Sequence, residues 1–335
     1  MIDEALLRVL SAHAEQPQEF ATPPIRMEGG FWAAIYGFEL DHPPAGMGGP
    51  LVLRVMPNAD AAVRETMVQR EVAEQGYPTP RVVLDGFDEG LGGAFMVMER
   101  VHGVPLLAGL NLGRALLRMP TTLRRLAQQL STASLRLHEL DPQPVIESLK
   151  AADVDVATLG TEARLDEIRQ AAATSSVGFD DLLNWLESRR PVSTPVVICH
   201  GDIHPFNMLV ADDGSFSVLD WTNGNICRRE YDVGFTAALL QSAPLEAPRV
   251  ATSAVRAITG SLARRFIDAY RKVAPINLDV VEWYETLQYA RCLAAVVTMP
   301  TDDEIIGERH PFRLAAPEMV RQVRTITGVT IETPR

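Results

Sequence analysis

The chain has few cysteines and no long apolar run. Its 335 residues include only 3 cysteines, Cys199, Cys227 and Cys292, which lie far apart and match no metal-binding spacing. An odd number of separated cysteines argues against a disulfide framework and favours a reducing, cytoplasmic compartment. No run of about 18 apolar residues occurs, so the sequence predicts no membrane span. The first residues, "MIDEALLRVLSAHAEQ", predict an amphipathic helix rather than a leader peptide.

Positive charge is also in short supply. The chain carries 31 Lys and Arg against 43 Asp and Glu, a formal net charge of −12, and it has no basic cluster. This balance disfavours nucleic acid as a partner. An acidic surface could serve solubility alone, or it could steer a cationic small molecule towards a site. Both interpretations remain open at this point.

Hydrophobic patterning divides the chain near residue 100. The first part is rich in predicted strands, at 31–40, 50–57, 81–87 and 93–101, with one helix at 60–76. The remainder is mainly helical, with the clearest helices at 122–140, 179–190 and 281–297. Residues 143–177 are ambiguous. With 47% apolar residues, the chain can bury a large core.

A polar loop stands out in the second part. The stretch "CHGDIHPFNMLV", residues 199–210, joins two short apolar segments and contains a proline, which excludes a regular helix. Asp202 is followed by Asn207 at +5 and by Asp220 at +18, where Asp220 ends the apolar segment "SVLD". Asn207 and Asp220 offer the hard oxygen ligands that suit Mg²⁺. Asp202 would then be free to orient a hydroxyl group or accept its proton.

The same loop allows another interpretation. His200, Asp202 and His204 form an H-x-D-x-H pattern that could bind a metal in a hydrolase. A plain polar turn between strands is a third possibility. Phe206 is predicted to pack in the core, as are Trp283 and Tyr284 on the apolar helix.

The loop resembles the catalytic loop of the aminoglycoside phosphotransferase family. The family pattern, H-G-D-x-x-x-x-N followed by a strand and D-W, is present as His200–Asp202, Asn207 and Asp220–Trp221. The resemblance implies an α+β, two-lobed, protein-kinase-like fold. Its N-lobe, residues 1–100, would be an antiparallel sheet with one main helix, and its C-lobe, residues 101–335, would be larger and mostly helical.

The resemblance also implies ATP and Mg²⁺ as cofactors and assigns roles to residues in the loop. Asp202 would be the catalytic base, with His200 orienting the loop, and Asn207 and Asp220 would hold Mg²⁺. Asp232, in "REYDVGF", would have a structural role.

The nucleotide-binding residues are expected in the N-lobe. Arg54 stands where the family has a phosphate-binding lysine, and Glu65 occupies the position of its carboxylate partner, with Glu71 as the alternative in a shifted register. Arginine can still bind phosphate through its planar fork. Two further groups are expected around the nucleotide: the backbone of Met98, Glu99 and Val101 beside the adenine, and Gly29 and Gly30 beside the phosphates.

The predicted activity is transfer of the γ-phosphoryl group of ATP to a hydroxyl group of a small molecule. The identity of the acceptor and the oligomeric state are not readable, although the acidic balance favours a cationic acceptor. A nucleotide-binding pseudokinase that acts as a scaffold is the main alternative, because Arg54 departs from the family pattern. The metallohydrolase is the second alternative.

Overall fold

The computed structural model divides the chain into two compact units. The structure describes residues 2–27, 33–106, 119–174, 178–192, 196–244, 252–299 and 310–334. The first unit comprises Met1–Val104, Gln143–Val154 and Met208–Gly224. The second comprises Pro105–Pro142, Asp155–Asn207 and Asn225–Arg335. The first unit therefore includes two segments that come much later in the sequence.

A five-stranded antiparallel sheet forms the centre of the first unit. Its strands follow the order β1-β2-β3-β5-β4. Their bounds are β1 (Phe20–Arg26), β2 (Ala34–Leu40), β3 (Leu51–Met56), β4 (Val82–Asp88) and β5 (Gly93–Glu99). Four of these strands and the helix between β3 and β4 confirm the pattern predicted from the sequence.

The sequence did not predict β1, which contains Pro23 and Pro24. Proline lacks an N–H group and is therefore excluded from central strands, although it is accepted at a sheet edge. In the structure β1 pairs only with β2, and the pairing contains two register shifts. The strand is thus an edge strand that compositional reasoning would pass over.

Two helices accompany this sheet. The first helix, α1 (Ile2–Ala14), buries Ala5, Leu6 and Leu10 in the same core cluster as the sheet residues Leu51 and Leu53. The second, α2 (Ala59–Glu74), begins at the cap residue Asn58, whose side chain accepts a hydrogen bond from the N–H of Ala61 at 3.0 Å. The helix α1 confirms the amphipathic pattern at the start of the chain.

Residues after position 200 complete the first unit. A short hairpin of β8 (Met208–Val210) and β9 (Phe216–Val218) belongs to it, and the hairpin continues into Asp220 and Trp221. The N–H of Val218 donates to the carbonyl of Pro78 at 2.8 Å. This contact fixes the end of β9, and with it the approach to Asp220.

The second unit consists mainly of helices. They are α3 (Met119–His138), α5 (Thr161–Thr174), α6 (Phe179–Ser188), α7 (Arg229–Gln241), α8 (Thr252–Arg271), α9 (Leu278–Thr298) and α10 (Pro311–Thr327). The remaining helix, α4 (Pro142–Ala151), lies almost entirely in the first unit. A 3₁₀ turn (Val156–Leu159) and three short strands, β6 (Val104–Pro105), β7 (Val197–Cys199) and β10 (Asn225–Cys227), complete the described elements. Strands β7 and β10 pair with each other in an antiparallel ladder.

The core of the second unit is built around α9. Trp283 and Tyr284 are each 2% exposed, which confirms their predicted core positions. The indole N–H of Trp283 donates to the carbonyl of Leu186 at 2.9 Å, so its one polar atom is satisfied. Helix α7 packs close to α9 at Gly234, where an added Cβ would lie 2.7 Å from the carbonyl of Val281. This packing fixes the first turns of α7, which carry Asp232.

No helix among the described residues is both long and apolar enough to cross a lipid bilayer.

Candidate active site

The first unit contains a buried ionic cluster around Arg54, which we call the Arg54 cluster: Arg54, Glu65, Asp220 and Thr222. Arg54 Nη1 lies 2.9 Å from Glu65 Oε1, and Arg54 Nη2 lies 3.2 Å from Asp220 Oδ1. Nη2 also donates to Thr222 Oγ1 at 3.0 Å. Strand β3 and helix α2 therefore bring Arg54 and Glu65 together, and the segment after β9 adds the other two residues.

Burial sets the electrostatics of this cluster. The side chains of Arg54 and Glu65 are 9% and 2% exposed, whereas that of Asp220 is 34% exposed. Burial raises the pKa of Glu65 from 4.5 to about 7, although Arg54 acts in the opposite direction. Asp220 is the more exposed of the two carboxylates, so it is the one that is open to a bound cation.

Asp220 has an unusual backbone conformation. Its φ is +67°, in the left-handed region that non-glycine residues rarely adopt. Such a conformation costs free energy and is typical of functional sites whose surroundings hold it in place. Here the indole N–H of Trp221 donates to Thr79 Oγ1 at 2.8 Å, and Thr79 Oγ1 donates to the carbonyl of Val218 at 2.9 Å. These bonds fix the chain on either side of Asp220.

The other expected nucleotide-binding residues lie on or just after β5. Met98 pairs with Val52 and Val82 across two neighbouring strands, and the N–H of Glu99 donates to the carbonyl of Arg81 at 3.0 Å. Glu99 also forms an exposed ion pair with Arg81 at 2.7 Å. Val101 follows the end of the strand. Gly29 and Gly30 lie outside the described residues.

The polar loop of the second unit holds Asp202 and Asn207 together. Asn207 Nδ2 lies 3.1 Å from both the carbonyl oxygen and Oδ2 of Asp202. Since these contacts use the amide nitrogen, the amide oxygen Oδ1 is the atom of Asn207 that could coordinate a metal. His204 Nε2 lies 3.6 Å from Asp202 Oδ1. The carboxylate of Asp202 is thus held by Asn207, and the ring of His204 lies close to it.

A buried carboxylate on α7 anchors this loop. Asp232 is fully buried and accepts hydrogen bonds from the backbone N–H groups of Gly201 at 2.6 Å and His200 at 3.1 Å. Burial by itself would raise the pKa of Asp232, but the bond from His138 and the charges and N–H groups around it hold the pKa below its usual value. Asp232 therefore remains ionised and fixes the backbone immediately before Asp202.

Two residues that sequence reasoning did not single out complete this anchor. His138, the last residue of α3, places Nε2 3.1 Å from Asp232 Oδ2 and Nδ1 2.7 Å from the hydroxyl of Tyr270 on α8. With Asp232 ionised, Nε2 carries the hydrogen and Tyr270 can donate to Nδ1. The sequence signal for His138 is the stretch "SLRLHELDP", which resembles the family's helix ending in L-H-x-L but assigned the histidine no role; Tyr270 has no such signal.

The structure corrects the prediction for Phe206. Its side chain is 64% exposed rather than packed in the core. The backbone N–H of Phe206 donates to His204 Nδ1 at 3.2 Å, and the two rings meet edge to face with centroids 6.0 Å apart. The tight turn at Pro205 turns the ring outwards, so apolar character alone misplaced it.

The H-x-D-x-H metal site is not formed. Within the described ranges, the group of at least three potential metal ligands that comes together is His138, Cys199 and Asp232, not His200, Asp202 and His204. This group is closed by its own hydrogen bonds, and burial raises the pKa of the Cys199 thiol well above its usual value. A protonated thiol is a poor metal ligand. The geometry therefore gives no support to the metallohydrolase interpretation.

The residues expected to hold Mg²⁺ have suitable chemistry. Asn207 offers an amide oxygen and Asp220 a partly exposed carboxylate, and both are oxygen donors of the kind that Mg²⁺ prefers. Arg54 fits a phosphate group as well, because its buried Nε has no hydrogen-bond partner among the described residues. Each of these residues, taken by itself, therefore fits the group assigned to it.

The comparisons with known proteins agree with this chemistry. A family model described as the phosphotransferase enzyme family (APH) matches residues 41–283. The chain belongs to this phosphotransferase family. The resemblance noted from the D-x-x-x-x-N and D-W motifs is thereby confirmed.

Solved structures confirm the kinase-like fold. An aminoglycoside-3'-phosphotransferase of type VIII is 22% identical with a TM-score of 0.55, and the match covers 85% of this chain and 97% of that chain. Spectinomycin phosphotransferase APH(9)-Ia is 13% identical with a TM-score of 0.61, covering 97% of this chain and 98% of that chain. At these identities the likeness establishes the fold of the chain and leaves its substrate open.

One curated relative belongs to a longer protein. Acyl-CoA dehydrogenase family member 10 of Mus musculus is 24% identical over 175 residues. The match covers 50% of this chain and only 16% of the length of the relative. This chain is thus similar to only a small part of that longer protein.

Proposed function

We propose that this phosphotransferase transfers the γ-phosphoryl group of ATP to a hydroxyl group of a small molecule, with Mg²⁺ as cofactor. The Arg54 cluster carries the proposal. A buried cation held by Glu65 and Asp220 is suited to a triphosphate, because a guanidinium can fork onto phosphate oxygens and Asp220 keeps a partly exposed carboxylate for the metal.

Each residue of the loop has a task in this proposal. Asp202 accepts the proton of the acceptor hydroxyl and aligns its oxygen, a role for which Asn207 holds the carboxylate in place. Asn207 and Asp220 bind Mg²⁺, whose charge offsets that of the phosphates. His200 orients the loop through its backbone bond to Asp232. Catalysis then comes from positioning and charge neutralisation.

The acceptor is proposed only by class. APH(9)-Ia has been crystallised in complex with ADP and spectinomycin, which supports a nucleotide and a small-molecule acceptor here. A net charge of −12 favours an acceptor that carries a positive charge. The adenine contact at Met98, Glu99 and Val101 and the phosphate contact at Gly29 and Gly30 remain predictions, as does the cytoplasmic location.

An assay of ADP release with ³¹P NMR of the products tests the proposal. The wild type is incubated with Mg·ATP and a panel of alcohols, half of them cationic amino alcohols. Asp202→Ala should lower kcat on any accepted compound by about 100-fold or more, the usual contribution of a general base, and should leave Mg·ADP affinity unchanged. Asp220→Ala should weaken Mg·ADP binding as well.

A matched control is Asp213→Ala, which removes a carboxylate from the exposed β8–β9 turn, where it bonds only to Ser215 among the described contacts. This variant should behave as the wild type. Near wild-type kcat in Asp202→Ala or Asp220→Ala would contradict the assigned roles.

The scaffold function remains the second candidate because arginine stands in the lysine position. It predicts that Mg·ATP raises the melting temperature while no hydroxyl compound yields a phosphate ester. Stabilisation by Zn²⁺ without any response to Mg·ATP would contradict both functions and return attention to a hydrolase.

A further inference from the structure

Thr222 lies at the centre of the Arg54 cluster. Its hydroxyl is 3.0 Å from Arg54 Nη2, 2.5 Å from Asp220 Oδ1 and 3.1 Å from Glu65 Oε2. Thr222 is therefore in contact with all three charged members of the cluster. Its main chain is held too, since Arg64 Nη2 donates to the carbonyl of Thr222 at 3.0 Å.

The hydroxyl has a defined set of bonds. Arg54 Nη2 can only donate, so Thr222 Oγ1 accepts from it. One hydroxyl hydrogen remains, and it can be given to Asp220 or to Glu65 but not to both at the same time. The shorter distance favours Asp220. Thr222 thereby links the cation to the carboxylate that carries a proposed metal-binding role.

An arginine at position 54 depends on the bond to Thr222 more than a lysine would. A lysine ammonium is a point charge with freely rotating donors, whereas the guanidinium is a rigid plane whose bonds depend on its orientation. In the cluster Nη1 faces Glu65, and Nη2 faces both Asp220 and Thr222. Glu65 binds Nη1, and Asp220 accepts from Nη2 at 3.2 Å. The hydroxyl of Thr222 adds a second, shorter bond at Nη2, which helps to fix the plane without adding a further negative charge.

We propose that Thr222 is the positioning residue that fits an arginine, rather than a lysine, to the phosphate-binding position of this phosphotransferase. It sets the plane of Arg54 and the orientation of Asp220 through one hydroxyl group. The proposal rests on the proposed function, because it concerns binding of Mg²⁺ and a nucleotide. The proposal makes two demands. The hydroxyl group of Thr222, rather than the size of its side chain, must determine nucleotide affinity. This effect must also depend on the presence of Arg54.

Calorimetric titration with Mg·ADP tests this directly and needs no acceptor. Thr222→Val keeps the shape and removes the hydroxyl, and Thr222→Ser keeps the hydroxyl. Thr222→Val should weaken Mg·ADP binding about 10-fold, which corresponds to about 1.4 kcal/mol of binding free energy. A loss of this order is expected when a hydrogen bond to a charged group is removed. Thr222→Ser should stay within about 3-fold of the wild type, because the conservative variant restores the bonds. Thr66→Val, the same chemical change at a buried position of α2, should also stay within about 3-fold.

A double-mutant cycle then separates positioning from a general loss of stability. In an Arg54→Lys background, Thr222→Val should change the Mg·ADP affinity by less than about 3-fold, since no guanidinium remains to be oriented. Additive effects of the two changes would overturn the proposal. So would equal losses in Thr222→Ser and Thr222→Val, or wild-type affinity in Thr222→Val.

The same titration distinguishes a failure of the proposed function from a failure of the role of Thr222. If the wild type bound no Mg·ADP, both the phosphotransfer function and the role of Thr222 would be refuted. If the wild type bound it and Thr222→Val bound it equally well, only the role of Thr222 would be refuted. Melting temperatures of all variants without ligand show whether each protein is folded.

Discussion

Replacement of Asp232 by asparagine tests how the catalytic loop is held. The carboxylate is fully buried and bonds to Gly201 N–H at 2.6 Å, His200 N–H at 3.1 Å and His138 Nε2 at 3.1 Å. All three partners are donors, so the amide nitrogen of asparagine must face at least one of them. One charged hydrogen bond is lost and one buried donor is left unsatisfied. We therefore expect Asp232→Asn to lower the free energy of unfolding by about 3–5 kcal/mol at pH 7.

The dependence on pH identifies the cause. The folded pKa of Asp232 is below its unfolded value of about 3.9. The stability that this group contributes is thus complete above the unfolded pKa and is lost as the pH falls through the folded pKa. The difference in free energy of unfolding between the wild type and Asp232→Asn should therefore become smaller as the pH is lowered below about 4.

Urea unfolding at several pH values measures this difference. An unchanged dependence of the unfolding free energy on urea concentration would show that both proteins expose the same surface on unfolding. Asp213→Asn, in the exposed turn, is the control and should leave the midpoint unchanged. A loss under about 1 kcal/mol for Asp232→Asn, or a loss that is the same at every pH, would refute the reasoning. Because Gly201 precedes Asp202 directly, the variant should also lower kcat more than it raises the KM for ATP.

The remaining predictions concern two other buried groups. Arg54→Ala should raise the pKa of Glu65 above about 7, because Arg54 lowers it, and should weaken Mg·ADP binding; NMR titration of the carboxyl carbon and calorimetry measure the two effects. An unchanged ADP affinity would remove Arg54 from the phosphate site. Glu285 bonds to Gln241 Nε2 at 2.9 Å, and burial raises its pKa from 4.5 to about 8. Its folded pKa is the higher one, so its ionisation costs stability as the pH rises from about 4.5 to 8. Glu285→Gln should therefore gain stability over the wild type with rising pH, on the order of 4 kcal/mol by pH 8, and a gain independent of pH would contradict this origin.

Local patterns in the sequence were sufficient for much of the molecule. Alternating apolar residues predicted four strands of the sheet, and leucine spacing predicted α3, because these periodicities follow directly from backbone geometry. The D-x-x-x-x-N and D-W spacing indicated the phosphotransferase family, since the residues of that loop are close in sequence and their chemistry is specific. The pairing partner of Arg54 was also expected at Glu65 from the family pattern.

Tertiary structure decided what depends on neighbours distant in sequence. The edge strand β1 forms despite two prolines because only one side of it must pair, and Phe206 faces outwards because a turn directs it there. The bonds of Thr222 to Arg54 and Glu65 span 168 and 157 residues, and that of His138 to Asp232 spans 94. No periodicity or spacing encodes such contacts. They arise when the packing of helices and strands brings buried polar groups within hydrogen-bonding distance. A buried donor or acceptor without a partner raises the free energy of the folded state, so these groups pair.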